Sequence, residues 1–174
     1  MLNKYPLVAI ALRNGLIAGV LGSVMLLGLY FMGRHPFLIP VFLDFRVILF
    51  GVLLYFTLKE YRDYFQQGSL YFSQGMIMSL LFTVVFAGVA FLLIWGFASW
   101  RPAFVSSYVS LTVDQIKSIP PEIVERIGQG EYERNLKALP GTRAFDLAWL
   151  YFWQSFIISF FVSIIISVIL RRQP

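Results

Sequence analysis

An all-α integral membrane fold, a bundle of four transmembrane helices with a long extracytoplasmic segment of short helices between helices three and four, is what this sequence predicts. Three observations predict it. Hydrophobic residues make up 59% of the 174 and charged residues 13%, against about 45–50% and about 25% in a soluble domain. Mean hydropathy is +0.75. A chain of 20.0 kDa has no interior large enough to hide that much apolar surface. Four stretches reach the ~20 apolar residues that a ~30 Å hydrocarbon core requires. Tryptophans gather at one level, with Trp95 and Trp100 closing the third stretch and Trp149 and Trp153 opening the fourth, the pattern of an interfacial aromatic belt.

The spans are read at about 7–32, 37–58, 74–100 and 147–170, and the chain 1–174 as a single membrane domain. The first, Leu7 to Met32, is interrupted only by Arg13 and Asn14. Its apolar run is too long for a signal h-region and no small-residue cleavage site follows, so it reads as a retained helix. The second, Phe37 to Leu58, contains Asp44 and Arg46, and Pro40 reads as its first helical residue. The third and fourth carry no charge and are apolar on every side, unlike the amphipathic helices of a soluble bundle.

Charge placement gives an orientation. With the N-terminus inside, the inner pieces hold Lys4, Lys59, Arg62, Arg171 and Arg172, and the short outer loop holds Arg34. The positive-inside rule then favours both termini inside. In the outer segment, 101–146, six basic residues are matched by six acidic ones, so the net charge of +5 belongs to the membrane part. Basic ends suit an anionic leaflet, and membrane lipids are the first expected partner. The cations are too scattered for nucleic-acid binding.

Small residues recur at every fourth position in three spans. They are Ala11, Gly15, Gly19 and Ser23 in the first; Gly75, Ser79, Thr83 and Ala87 in the third; and Ser155, Ser159, Ser163 and Ser167 in the fourth. Such faces let helix backbones approach closely. They pack the four helices on one another, or one ladder faces a partner protein or a second copy. The serine ladder of the last span is the best placed for that, because Phe152, Phe156, Phe160 and Ile164 make its other side bulky. Span two has no ladder, and Val47, Leu49, Phe50, Leu53, Leu54 and Phe56 suit lipid or packing around Gly51.

Ionisable groups inside a membrane are binding candidates by default, which singles out Arg13, Asn14, Asp44 and Arg46. Arg13 lies about 9 Å into its span and can snorkel to the inner headgroups. Asp44 and Arg46, two positions apart, point about 200° apart on a helix and need separate partners, such as Arg34 or a helix N-terminus for Asp44 and a headgroup for Arg46.

Between spans two and three, Lys59 to Gly75 is basic and tyrosine-rich. Gly68-Ser69 reads as a turn, with Ser69 or Ser73 as cap of the next helix. In the outer segment Thr112 to Ile119 reads as a helical turn with a Thr112/Gln115 capping box. Pro121 to Ile127, ended by Gly128, and Glu131 to Leu139, ended by Pro140-Gly141, read as further helices. Glu122/Arg126 and Glu133/Lys137 are spaced as ion pairs. Ile123, Val124 and Ile127, and then Tyr132, Leu136 and Leu139, form apolar stripes for the outer leaflet, the bundle or a partner.

Catalytic sets are missing. There is no cysteine, no phosphate loop, nucleophile elbow or HExxH, and the lone His35 sits in a tight loop at the interface. No catalytic residue, metal site or cofactor is expected, and no enzyme activity. The four-span layout, the basic turn leading through Gly68-Ser69 into Phe72-Ser73-Gln74-Gly75, and the long outer segment resemble a bacterial family of membrane proteins, domain of unknown function 4199. The resemblance implies a protein of the bacterial inner membrane and carries over no site. The expected function is an accessory or scaffold subunit that packs against a larger membrane complex or itself. The alternative is a component that handles lipid- or polyprenyl-linked substrates of the envelope, resting on Arg13 and Arg46.

Overall fold

Pro6 lies in the first turn of α1 (Pro6–Phe31), where its missing N–H costs no hydrogen bond. The computed structural model describes residues 5–40 and 44–172, with the side chains of Phe45 and Arg46 outside that description. After α1 the chain turns at Gly33, makes a single 3₁₀ turn at Pro36–Leu38 and enters α2 (Phe45–Phe65). α3 (Phe72–Trp100) and α4 (Pro102–Lys117) follow, then the short α5 (Pro121–Ile127) and α6 (Gln129–Ala138), and finally α7 (Ala144–Leu170).

Three helices, α1, α3 and α7, are long and apolar enough to cross a membrane. α2 departs from expectation at both ends. Pro40 and Asp44 are not helical, and the helix runs on through Lys59, Glu60, Arg62 and Asp63 to Phe65. Charge therefore fills its last turns, where a loop was expected. Helix propensity explains the continuation, since Lys, Glu and Arg are all good helix formers. The turn that ends it uses Gly68 at φ +84°, with the Gly68 N–H donating to the Arg62 carbonyl at 2.9 Å. Only glycine adopts that conformation without a Cβ penalty.

The expected cap of α3 is also corrected. Tyr71 takes the N-cap position and its N–H donates to Gln74 Oε1 at 3.2 Å, while Ser69 Oγ bonds instead to the Gln66 carbonyl. In the outer segment Thr112 starts no helix. It lies inside α4 and its Oγ1 donates to the Tyr108 carbonyl at 2.7 Å. Pro102 is the reason α4 begins so early, because proline breaks α3 yet fits the first turn of the next helix. α5 and α6 form close to their expected bounds. Glu133 and Lys137 approach to 3.8 Å, whereas no ion pair joins Glu122 and Arg126 among the described residues.

α3 packs against α1 on one side and α7 on the other, and α2 closes the bundle by touching α1 and α7. Lipid is as apolar as the helices, so burial does little to hold such a bundle; close packing and polar contacts do most of it. All twelve ladder residues are buried: Ala11, Gly15, Gly19, Ser23, Gly75, Ser79, Thr83, Ala87, Ser155, Ser159, Ser163 and Ser167. Gly15 and Gly19 lie against Val85 and Val89 of α3, and Gly75 lies against Ser167 of α7. The serine ladder faces the chain's own α3, not the outside. Span two divides between the two expected roles: Phe50 and Leu54 are core residues, with Phe50 edge to face on Phe82 and Phe86, while Phe56 is exposed. What faces outward is bulky: Val24, Ile157, Phe160, Phe161 and Ile165 are exposed, as are all four tryptophans.

Candidate functional site

Two polar centres sit at opposite ends of the bundle. At one end α1 and α2 run side by side, each with a polar group about two turns from its terminus. Arg13 Nη2 donates to both oxygens of Glu60 at 2.6 Å. Asn14 Nδ2 donates to Glu60 Oε2 and to Thr57 Oγ1, each at 3.2 Å. Thr57, fully buried, passes its own proton to the Leu53 carbonyl at 2.7 Å. Arg13 Nε completes the ring by donating to Asn14 Oδ1 at 3.1 Å.

This geometry gives Arg13 a partner within the bundle. Its side chain is 57% exposed and that of Glu60 29%, so each charge keeps contact with the surroundings. A carboxylate on the neighbouring helix answers the guanidinium, which lowers the cost of holding it at that depth. The cluster sets one guanidinium against one carboxylate, with an amide and a hydroxyl beside them. It fixes the register of α1 on α2. Sequence reasoning found Arg13 and Asn14 but missed Glu60 and Thr57. A signal existed: Thr57 and Glu60 are three apart and so share one face of a helix.

At the other end Asp44 is buried, and its carbonyl accepts the Val47 N–H at the start of α2. It lines a slot of about 40 Å³ with Tyr151, Gln154, Ser155 and Ser159 of α7. That volume admits water and is far below the ~300–1,000 Å³ of a ligand pocket. The side chain of Arg46 lies outside the described residues. The four candidates therefore divide, with Arg13 and Asn14 in one centre and Asp44 far from them in the other.

His35 was expected at the interface and is instead 6% exposed. Rings of Tyr30, Phe37, Phe104 and Tyr108 surround it, with centroids 4.8–6.1 Å away. Nδ1 accepts the Phe37 N–H at 3.4 Å, so the neutral ring carries its proton on Nε2 and donates it to the Phe104 carbonyl at 3.1 Å. Burial pushes its pKa below the ordinary 6.5, partly offset by the Phe104 hydrogen bond. This imidazole ties the loop after α1 to the first turn of α4, and Phe104 is itself fully buried. The outer helices are thereby seated on the bundle.

Beside that seat, Ala98, Val105, Val109, Pro140 and Arg143 line an open groove of about 590 Å³ between α4 and the start of α7. Among the described residues no three His, Asp or Glu side chains converge in a way that could hold a metal ion.

The chain matches the family described as protein of unknown function (DUF4199) over residues 13–172, and it belongs to that family. No curated protein and no solved structure matches it.

Proposed function

For this member of a family of unknown function we propose a non-catalytic role: an accessory or scaffold subunit that docks a larger membrane complex through α4–α6. In this reading α1, α2, α3 and α7 make four spans of a bacterial cytoplasmic membrane, both termini lie inside, and α4–α6 lie outside. The distribution of Lys59, Arg62, Arg171 and Arg172 against the lone Arg34 supports the orientation.

One observation carries the docking role. α5 and α6 are helical yet bury no residue of their own. Helices of 7 and 10 residues are marginal in water without a surface to pack on. Ile123 and Ile127 stand exposed on α5, and the His35–Phe104 contact seats the start of α4 on the bundle. The bundle uses its small-residue faces internally, so a partner is left the outer helices and the bulky lipid-facing sides. Native mass spectrometry after mild detergent extraction tests this. A stoichiometric protein partner, lost on Ile123→Asp/Ile127→Asp substitution, is expected. A lone chain, unchanged by those substitutions, refutes it.

A second reading, handling of a lipid- or polyprenyl-linked substrate, is favoured by the groove beside Arg143. Its volume is ligand-sized, and it opens where α3 ends and α7 begins. A specific lipid retained by a lone chain would move the assignment there.

A further inference from the structure

The C-terminal residues return to the middle of the chain. Leu70 N–H donates to the Arg172 carbonyl at 2.8 Å, and Arg172 N–H donates to the Leu70 carbonyl at 3.1 Å, an isolated antiparallel pair. Leu70 is fully buried, so the pair is anchored in the core. It brings Arg172, at the end of the described chain, near Asp63, Arg62 and Lys59 at the end of α2.

Asp63 is a carboxylate at this corner. Arg62 Nε donates to it at 2.7 Å. That hydrogen bond, with the nearby charges of Arg62, Lys59 and Arg172, holds its carboxyl below the usual range. Glu60, the next acid along α2, is already committed to Arg13. Three cations, Arg62, Lys59 and Arg172, therefore surround this carboxylate, and Arg171 precedes Arg172 in the chain. At the other end of the molecule the outer segment balances its charges. Aromatic rings rim the corner. Tyr64 is 82% exposed, and Phe65, Tyr71 and Phe72 are exposed beside it, a combination suited to the headgroup level of a bilayer.

We propose that this corner binds the headgroup of an acidic phospholipid of the adjoining leaflet. Arg171, Arg172 and Lys59 take the phosphate charge, and the rings of Tyr64 and Phe65 lie along the upper acyl chains. The rings are what distinguish a lipid from a free anion, because a soluble phosphate has no use for an apolar rim. The inference rests on the membrane reading above and is independent of what docks on α4–α6.

The experiment uses the full chain in mixed micelles, where no topology is imposed and the assigned orientation does not enter. Phosphatidylglycerol and phosphatidylcholine are titrated separately and adducts counted by native mass spectrometry. Preferential phosphatidylglycerol binding is expected. Arg171→Gln/Arg172→Gln keeps the backbone pairing with Leu70 and should weaken it by about thirtyfold at low salt, since each cation at an acidic surface contributes about a factor of five. Lys59→Gln should weaken it by about fivefold. Arg134→Gln/Lys137→Gln, an equal loss of charge on the outer helices, should leave it unchanged. Equal retention of the two lipids overturns the proposal. So does an unaltered affinity in the Arg171/Arg172 variant with intact helix content, or full competition by millimolar inorganic phosphate.

Discussion

Gly19→Ala adds one methyl group at the tightest approach of α1 to α3. A Cβ there would lie 2.8 Å from Val89 Cβ and 3.0 Å from the Phe86 carbonyl oxygen. Ordinary carbon contacts are about 3.5–4.0 Å, so the two helices must separate by a sizeable fraction of an ångström. Neither neighbour can swing away, because one is backbone and the other is the first atom of a β-branched side chain. Overpacking of this kind costs about 1–3 kcal/mol. Replacing a helical glycine returns about 0.5–1 kcal/mol, leaving a net loss of up to about 2.5 kcal/mol, centred near 1. Gly28→Ala, in the same helix, meets nothing within 4 Å and should keep the whole gain of about 0.5–1 kcal/mol. Two identical substitutions in one helix are thus expected to move stability in opposite directions. Denaturant titration in micelles, followed by tryptophan emission, reads both. A stabilising Gly19→Ala, or equal effects at the two positions, would refute the close α1–α3 packing.

Three further outcomes are expected. A double-mutant cycle of Arg13→Gln and Glu60→Gln should give a coupling of about 1 kcal/mol, modest because both groups are partly exposed; a coupling under about 0.3 kcal/mol would show that the pair does not register α1 on α2. His35 is held neutral in the fold, so between its lowered pKa and 6.5 the unfolded chain binds more protons and stability rises with pH. Stability should be full above that ordinary value and fall on acidification below it, and His35→Gln, which keeps a donor and an acceptor, should flatten the profile; an unchanged pH profile in the variant contradicts the assignment. Ser167 Oγ and Ser79 Oγ are buried with no hydrogen-bond partner, so Ser167→Ala should leave unfolding stability unchanged or raise it by up to about 1 kcal/mol; a clear loss would mean the hydroxyl is bonded.

The long uncharged helices were legible because nothing but a membrane span or a deep core explains such runs. α2 was harder. Its last turns carry Lys59, Glu60, Arg62 and Asp63, which read as a loop by polarity although Lys, Glu and Arg favour helix. The ladders showed which faces pack, and their depth in the bundle follows from the close approach that glycine and serine permit. The Arg13–Glu60 pair could not be read, because two residues 47 apart meet only once the register of α1 on α2 is set. His35 carried no periodic signal in its loop, and its burial comes from rings contributed by α1 and α4. Pro102 hid the true start of α4, since proline reads as a stop although it is tolerated at a helix start.

Whether α2 crosses the membrane decides the whole arrangement, and the absence of cysteine makes single labels clean. Ser69→Cys in the α2–α3 turn and Ser118→Cys after α4 are treated with a membrane-impermeant maleimide in intact cells. With four spans and both termini inside, Ser118→Cys is labelled at once and Ser69→Cys only after the membrane is opened. The reverse pattern arises if α2 does not cross and equally if the four-span bundle is inverted; either contradicts this topology and puts α4–α6 on the side opposite to the one a docking subunit of this design requires.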